Sequence, residues 1–213
     1  MEVSNEYILS LEQKLQQTLT PKRYLHTLGV AYLSASLAMC HGISHKDALV
    51  AGLLHDCAKN YPEDEMLNAC LQLGIPLSEH EKRIPELIHA AYGAHLAKEE
   101  YGITQEDILL AVRNHTLGRP EMSPLEQIVY LADYFEPGRM QPTNPSLDEI
   151  RRIAFQSLDD ATYLVCKNTL QYFEATKKET DPMTFQVFEY YKNRRKYHGT
   201  FENDSEKGIR CLK

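Results

Sequence analysis

Histidines and aspartates fall on helix faces of this sequence that are otherwise apolar. On one predicted helix, His55 extends an apolar stripe through Ala48, Ala51 and Gly52, and Asp56 follows it directly. Four further residues occupy similar positions on other predicted helices: His26, His89, His115 and Asp133. A buried carboxylate without a partner is costly, and no lysine or arginine pattern matches both aspartates. Because imidazole and carboxylate together suit iron, manganese or zinc, these residues indicate a site for a divalent transition metal.

Each of these residues also has a simpler interpretation. A single buried histidine, such as His26 or His89, is more often a hydrogen-bonded core residue than a ligand. Asp133 alone fits a structural hydrogen-bond acceptor, and an adjacent pair such as His55-Asp56 can arise by chance. Six such residues on five predicted helices are harder to explain in this way, so together they favour a metal site.

The elements that must position these residues are predicted to be helices. Ser123 with Glu126 forms a capping box, and Ser44 with Asp47 forms a variant of it; Thr104 is expected to cap the helix that ends near residue 115. Apolar spacing and such caps predict helices over residues 9–19, 21–40, 46–59, 63–73, 85–100, 105–115, 124–135, 146–176 and 183–197. No alternating strand pattern persists, so the expected fold class is all-α.

The chain has no convincing domain linker. We expect an N-terminal helix over residues 1–20 that packs on one helical domain over residues 21–198. The remaining residues, 199–213, are polar and are expected to form a loose tail.

The composition limits the partners and the compartment. Of 213 residues, 43% are hydrophobic and 25% are charged, and no apolar run reaches the length of a membrane span. The acidic start of the chain is followed by no signal-peptide core, and five scattered cysteines without a Cys-x-x-Cys pair favour a reducing compartment, so we expect a cytoplasmic protein. A net charge of -7 disfavours a nucleic acid polymer as partner. The oligomeric state stays open, with a homodimer among the options.

Several segments resemble a known family. They are His26-Thr27-Leu28-Gly29, His55-Asp56-Cys57-Ala58-Lys59, Arg113-Asn114-His115-Thr116-Leu117-Gly118-Arg119 and Leu131-Ala132-Asp133-Tyr134-Phe135-Glu136-Pro137-Gly138-Arg139. The set resembles the HD-domain metal-dependent phosphohydrolases and, within them, the YqeK-type branch of symmetrical bis(5'-nucleosyl)-tetraphosphatases. The resemblance covers nearly the whole chain, from about Pro21 to Tyr197.

The resemblance implies an HD-domain helical bundle that holds two metal ions, expected to be iron. In that arrangement one ion is bound by His26, His55, Asp56 and Asp133, and Asp56 bridges to a second ion held by His89 and His115. His95 is an alternative to His89. The implied reaction is the cleavage of diadenosine tetraphosphate (Ap4A) into two ADP by attack of a metal-bound hydroxide.

Further residues are expected to bind or stabilise the substrate. Catalytic roles are predicted for Asp56, Lys59 and Arg139, and substrate-binding roles for Thr116, Gly118, Arg119 and Glu136. Lys59 follows His55 by one helical turn and can reach a phosphate, or it can be a lysine favoured near a helix C-terminus. Arg119 and Arg139 are either phosphate ligands or solvated loop arginines. For Glu136 we favour an ion pair with Arg139 over proton transfer.

Two other functions remain open. The same metal site could serve a nucleotide phosphatase or phosphodiesterase with another substrate. The fold could also act as a nucleotide sensor that binds without turnover, although a sensor need not keep all six metal ligands. The Gly-Arg pair after His115 and the Glu-Pro-Gly-Arg segment after Asp133 favour the tetraphosphatase through resemblance.

Overall fold

A computed structural model of the chain describes residues 3–139, 143, 145–177 and 179–195. The helices of this part of the chain are α1 (Asn5–Thr18), α2 (Pro21–Cys40), α3 (His45–Leu54), α4 (Glu63–Leu73), α5 (Glu79–Arg83), α6 (Ile88–Glu99), α7 (Glu106–Asn114), α8 (Pro124–Phe135), α9 (Leu147–Ala154), α10 (Leu158–Thr176) and α11 (Pro182–Lys192). A short 3-10 helix, Pro85–Leu87, precedes α6. The described residues contain no strand, so the all-α prediction is confirmed.

Local capping sets most helix starts. Ser123 and Glu126 form the predicted capping box of α8, in which each side chain accepts a hydrogen bond from the other residue's backbone N–H. Ser44 caps α3 by accepting from the Asp47 N–H. Thr104 does not cap α7 as predicted, because α7 begins one residue later behind Gln105, which makes no side-chain cap.

The core lies where α2, α3, α7 and α8 meet. Leu53, Leu54, Ile108 and Ile128 are fully buried there. The α2–α3 contact is close enough that a Cβ on Gly52 would lie 2.6 Å from Ala31 Cα, which requires glycine at this position. Since α2 and α8 carry His26 and Asp133, and His55 and His115 directly follow α3 and α7, the packing of these four helices sets the geometry of the site.

Three predicted helices differ in where they end. The helix predicted to reach residue 59 ends at Leu54, and turns follow it as far as Asn60. The long helix predicted over residues 146–176 is two helices, because Ser157 leaves the helical conformation and caps α10 by accepting from the Asp160 N–H. Helix α5 was not predicted, and α11 ends at Lys192, short of its predicted end near residue 197.

The N-terminal helix contacts the rest of the chain. Leu11 and Leu15 are buried, α1 packs on α2 and α3, and the Tyr7 hydroxyl donates a hydrogen bond to the Tyr101 carbonyl. The predicted domain boundary near residue 21 stays a prediction, and the predicted tail, 199–213, lies outside the described residues. Within the described part of the chain, no helix combines the length and the apolar character that crossing a bilayer requires.

Candidate metal centre

The predicted histidines and aspartates lie together at one end of the core. Helix α2 carries His26, α6 carries His89 and α8 carries Asp133, while His55 and His115 are the residues that directly follow α3 and α7. His26 Nε2 lies 3.0 Å from Asp133 Oδ1. On the other side, Asp56 Oδ1 lies 3.4 Å from His89 Nε2 and 3.7 Å from His115 Nε2. Five separate segments of the chain therefore deliver these side chains to one place.

Backbone carbonyls orient three of the imidazoles in the same way. In each case the Nδ1 atom lies within hydrogen-bond distance of the carbonyl oxygen three residues earlier: His55 with Gly52 at 2.7 Å, His89 with Glu86 at 2.6 Å and His115 with Val112 at 2.8 Å. A carbonyl only accepts, so each Nδ1 must carry the proton. Each ring then turns its Nε2 atom towards the centre, as metal-ligating histidines do.

The Nε2 atoms of four histidines face one another in pairs at short range. His89 Nε2 lies 3.1 Å from His115 Nε2, and His55 Nε2 lies 3.3 Å from His26 Nε2. Burial lowers the pKa of His55, and burial together with the neighbouring His115 and Lys59 lowers the pKa of His89 to about 3. Near neutral pH these two rings are therefore uncharged. The short distances between the nitrogen atoms favour a metal cation bound between them.

His26 has a different support, the carboxylate of Glu136. The Nδ1 atom of His26 lies 3.2 Å from Glu136 Oε1, and the Gly138 N–H donates to Glu136 Oε2. Burial works to lower the pKa of His26, but its bonds to Asp133 and Glu136 outweigh burial and raise that pKa. Glu136 is 6% exposed, and a Cβ on Gly29 would come within 2.7 Å of its carboxylate. The predicted Glu136–Arg139 ion pair is wrong, because this carboxylate positions a histidine.

Both aspartates have arginine partners. Arg23 Nη1 lies 2.5 Å from Asp56 Oδ2, and Arg139 Nη2 lies 2.9 Å from Asp133 Oδ1. Burial works to raise the pKa of each carboxyl group, but neighbouring imidazoles hold both pKa values below their usual range. The expectation that no arginine matches these aspartates was therefore wrong. Arg23 was missed although it precedes His26 by three residues, a spacing that places both on one helix face.

The case for a metal consequently depends on the imidazole nitrogens. Two groups of residues offer ligand atoms, and within each group these atoms all lie within 4.8 Å of one another. One group is His26, His55 and Asp56, and the other is Asp56, His89 and His115. Asp133 Oδ1 adds a further oxygen to the first group, 3.8 Å from His55 Nε2. Nitrogen and oxygen donors without a thiolate fit iron, manganese or zinc. Asp56 belongs to both groups, so the arrangement can hold two ions that share one carboxylate.

The predicted substrate-binding residue Thr116 and the predicted catalytic residue Lys59 lie at this centre. The Thr116 hydroxyl lies 3.2 Å from His89 Nε2 and 3.1 Å from His115 Nε2. Lys59 does not follow His55 along a helix, because α3 has ended, but its half-buried ammonium interacts with Asp56, and burial lowers its pKa. Its Nζ is held 3.4 Å from the Glu86 carbonyl oxygen.

Other predicted substrate-binding groups are already engaged. Arg119 forms two 2.7 Å hydrogen bonds to the fully buried Glu126 carboxylate, which also accepts from Asn114. The Gly118 N–H, expected to donate to phosphate, instead donates to the Asn114 carbonyl at 2.9 Å. These donors hold the loop after α7 against the start of α8, and the predicted role of the two residues in phosphate binding stays a prediction.

Three other residues that could bind a metal, two histidines and a cysteine, lie outside the ligand groups. His95 stacks on Tyr92 and belongs to neither group of ligand atoms, so the geometry favours His89 over its alternative. Cys57 is buried with its Sγ atom 3.5 Å from the Gly93 carbonyl oxygen, as expected for a core residue. His41 follows α2, its Nε2 atom lies 2.7 Å from the Ala154 carbonyl oxygen, and it belongs to neither group of ligand atoms.

Two cavities flank the centre. One, of about 740 Å³, is lined by His115, Asp133 and Arg139 among others. The second, of about 650 Å³, is lined by several basic residues, which include Arg113 and Arg119. The residues common to both walls are Leu87, Thr116 and Leu117. A ligand that extends from the centre therefore has space on either side of the Thr116 segment.

Known proteins are similar to this chain in sequence and fold. Residues 23–138 match the HD domain family. A Bacillus subtilis (strain 168) protein named "Bis(5'-nucleosyl)-tetraphosphatase, symmetrical" is 39% identical over 178 residues, which are 83% of this chain and 92% of that protein. A protein of the same name from Staphylococcus aureus (strain NCTC 8325 / PS 47) is 33% identical over 180 residues, covering 83% of this chain and 90% of that protein.

A solved structure agrees with the sequence matches. The crystal structure of a predicted HD superfamily hydrolase involved in NAD metabolism, from Clostridium acetobutylicum, aligns with a TM-score of 0.82 and 35% sequence identity. The alignment covers 87% of this chain and 97% of that chain, so the similarity extends over most of the helical arrangement.

Proposed function

Because the chain belongs to the HD domain family, we propose that it is a metal-dependent hydrolase that cleaves Ap4A symmetrically into two ADP. The relatives that carry this activity in their names match more than four fifths of the chain. Water adds across the central phosphoanhydride bond, so each half of the substrate leaves with two phosphates.

The position of Asp56 is the observation that carries the proposal. Its carboxylate belongs to both groups of ligand atoms, one with His26 and His55 and one with His89 and His115. A pair of divalent ions bound in such a site lowers the pKa of water and stabilises charge on phosphate oxygens. We propose His26, His55, Asp56 and Asp133 as ligands of one ion, with Asp56, His89 and His115 as ligands of the other.

Residues around the proposed ligands support a site for the phosphate chain. Arg139 lines the larger cavity, and its buried Nε–H has no hydrogen-bond partner among the described residues. A guanidinium with a free donor matches the geometry of a phosphate oxygen. We propose that Arg139 binds a phosphate next to the scissile bond, with Lys59 and the Thr116 hydroxyl beside it, and that Arg23 positions Asp56.

The two cavities suit a substrate with two similar arms. Because they meet at Thr116 and Leu117, beside the His89–His115 pair, a phosphate chain at the centre can direct one nucleoside into each. This arrangement favours a dinucleoside polyphosphate over a nucleoside monophosphate, which would fill one side only. No described feature favours the phosphatase or sensor alternatives.

The decisive experiment combines product analysis with a substitution. The purified protein is incubated with Ap4A, and ADP is expected as the sole nucleotide product; ATP with AMP would show asymmetric cleavage and overturn the proposal. Asp56→Asn keeps the size of the side chain but removes the shared charge, so metal content and turnover should both fall by about 100-fold or more. Asp181 is a buried aspartate that caps α11, a task that asparagine performs equally well, so Asp181→Asn should keep its metal.

Three further properties are part of the proposal. We propose iron as the metal, which elemental analysis of the purified protein would test against manganese and zinc. We propose the cytoplasm as the compartment, supported by four free cysteines among the described residues. A homodimer is one option for the assembly, and light scattering would test it.

A further inference from the structure

The larger cavity connects the metal centre to the surface of α10. Its wall includes Asp133 of α8, which is a proposed metal ligand, and His115, which is another. A run of residues near the C-terminal end of α10 forms a further part of the wall. The volume of about 740 Å³ falls within the range of pockets that hold small organic ligands. A ligand with one phosphate at the metal centre therefore has room to extend towards α10.

The side chain of Tyr172 points into this cavity. The residues of α10 that line it are Asn168, Thr169, Gln171, Tyr172 and Phe173. Because successive residues of an α-helix are turned by about 100°, Tyr172 lies at the middle of the arc that these five residues span. Its side chain therefore leaves the helix in the direction of the cavity.

Tyr172 is also the most exposed aromatic residue in this wall. It is 52% exposed, whereas Tyr130 is 6% exposed and Tyr134 and Phe173 are half-buried. The centres of the Phe173 and Tyr172 rings lie 5.8 Å apart, a contact that limits the positions open to the Tyr172 ring. An aromatic ring is thus held at the cavity with much of its surface open, and a flat ligand that covered it would remove apolar surface from water.

The second cavity offers no comparable ring. Among the described residues that line it there is no phenylalanine, tyrosine or tryptophan, and three of them are arginines, Arg83, Arg113 and Arg119. Stacking between a protein ring of this kind and a ligand is therefore expected in the larger cavity.

We propose that Tyr172 stacks on one nucleobase of the bound substrate, an inference that rests on the proposed function. A phosphate and a ribose separate each base of Ap4A from the attacked phosphorus, so the base lies away from the metal ligands. Tyr172 on α10 meets this requirement, because the ligand Asp133 belongs to a different helix that lines the same cavity. Stacking uses the flat face that every base has, so this contact accepts adenine and guanine alike.

The first test is a fluorescence measurement of binding, which does not depend on turnover. The chain contains no tryptophan, so Tyr172→Trp introduces a single indole at the proposed contact. ADP and GDP should both quench its emission, whereas pyrophosphate, which has no base, should leave the emission nearly unchanged. Tyr32→Trp is the matched control, because Tyr32 is 55% exposed on α2 and is not among the residues that line either cavity. Its emission should respond to none of the three ligands.

The second test measures the hydrolysis of Ap4A. Tyr172→Ala should raise KM by roughly 5- to 100-fold, the usual effect of removing one base-stacking side chain. The kcat should change little, because stacking holds the base equally in the ground state and in the transition state. Tyr172→Phe keeps an aromatic face, so its KM should stay within about threefold of the unmodified protein. Tyr32→Ala should leave both constants unchanged.

Each outcome bears on Tyr172 separately from the proposed function. Far-UV circular dichroism and metal content identify folded variants, and substitutions at the exposed Tyr172 should leave both unchanged. An unchanged KM in Tyr172→Ala, no quenching by ADP, or equal quenching by ADP and pyrophosphate would overturn the stacking role. An equally high KM in Tyr172→Phe and Tyr172→Ala would assign the effect to the hydroxyl group and overturn it too. If Ap4A is not cleaved, the proposed function fails, and the fluorescence response to ADP alone decides the role of Tyr172.

Discussion

Gly29→Ala should damage the metal centre without unfolding the protein. Gly29 lies on α2, one turn after His26, and an added Cβ would lie 2.7 Å from Glu136 Oε2. Such contacts become ordinary only from 3.4 Å, so the carboxylate must retreat by about 0.7 Å. Gly138 also lies close to Glu136 and its N–H donates to Oε2, which limits where the carboxylate can go.

The expected loss of metal affinity or activity follows from the hydrogen bond that is lost. The His26 Nδ1–Glu136 Oε1 distance is 3.2 Å, so a retreat of this size takes it beyond hydrogen-bond range. Loss of such a support to a metal-binding histidine typically lowers metal affinity or activity by about 10- to 100-fold. Global stability should change by less than about 1 kcal/mol, because alanine is the better helix former and the displaced atom is the end of a flexible side chain.

Two other glycines provide matched controls. Gly93→Ala on α6 would place its Cβ no closer than 3.6 Å to any neighbour, so it should leave activity unchanged and raise stability slightly. Gly52→Ala would place its Cβ 2.6 Å from the Ala31 backbone, so it should lower the melting temperature strongly. Metal content, kcat/KM for Ap4A and thermal unfolding are measured for all three variants. Normal metal content and activity in Gly29→Ala would refute the proposed role of Glu136.

Three further predictions test separate parts of the structure. His89→Ala should lose one metal equivalent and nearly all turnover, whereas His95→Ala should keep both; the reverse result would exchange their roles. Arg119→Ala removes the partner of the buried Glu126 carboxylate, so the free energy of unfolding should fall by about 2–3 kcal/mol. Turnover per folded molecule should change less than about threefold, and a large loss of turnover would restore Arg119 as a substrate ligand. Chelation should abolish turnover and lower the melting temperature by about 5–10 °C while helical circular dichroism persists.

Local patterns explain what could be predicted from the sequence. The capping box at Ser123 and Glu126 involves residues three apart, so it is visible without knowledge of the fold. His55 could be identified because it continues an apolar stripe. The division between α9 and α10 had an equally local signal in Ser157 followed by Asp160, the same pattern that was recognised at the start of α3.

Contacts between distant segments could not be predicted in this way. Glu136 and Arg139 are three residues apart, and their opposite charges suggested a pair with each other. In the structure each is drawn to a different partner, Glu136 to His26 of α2 and Arg139 to Asp133 of α8. Which partner each side chain takes depends on how closely α2 approaches the end of α8. The spacing of residues within 131–139 carries no information about that distance.

The C-terminal ends of α3 and α7 orient two histidines of the metal centre. The last four carbonyls of a helix have no amide partner within it, and they include Gly52 in α3 and Val112 in α7. These are the carbonyls that lie within hydrogen-bond distance of Nδ1 of His55 and His115. A helix that continued to residue 59, as predicted, would have used the Gly52 carbonyl for a backbone bond and left the His55 ring without this orientation. The early end of α3 is therefore a requirement of the metal centre, and the apolar pattern, which continues past Leu54, could not reveal it.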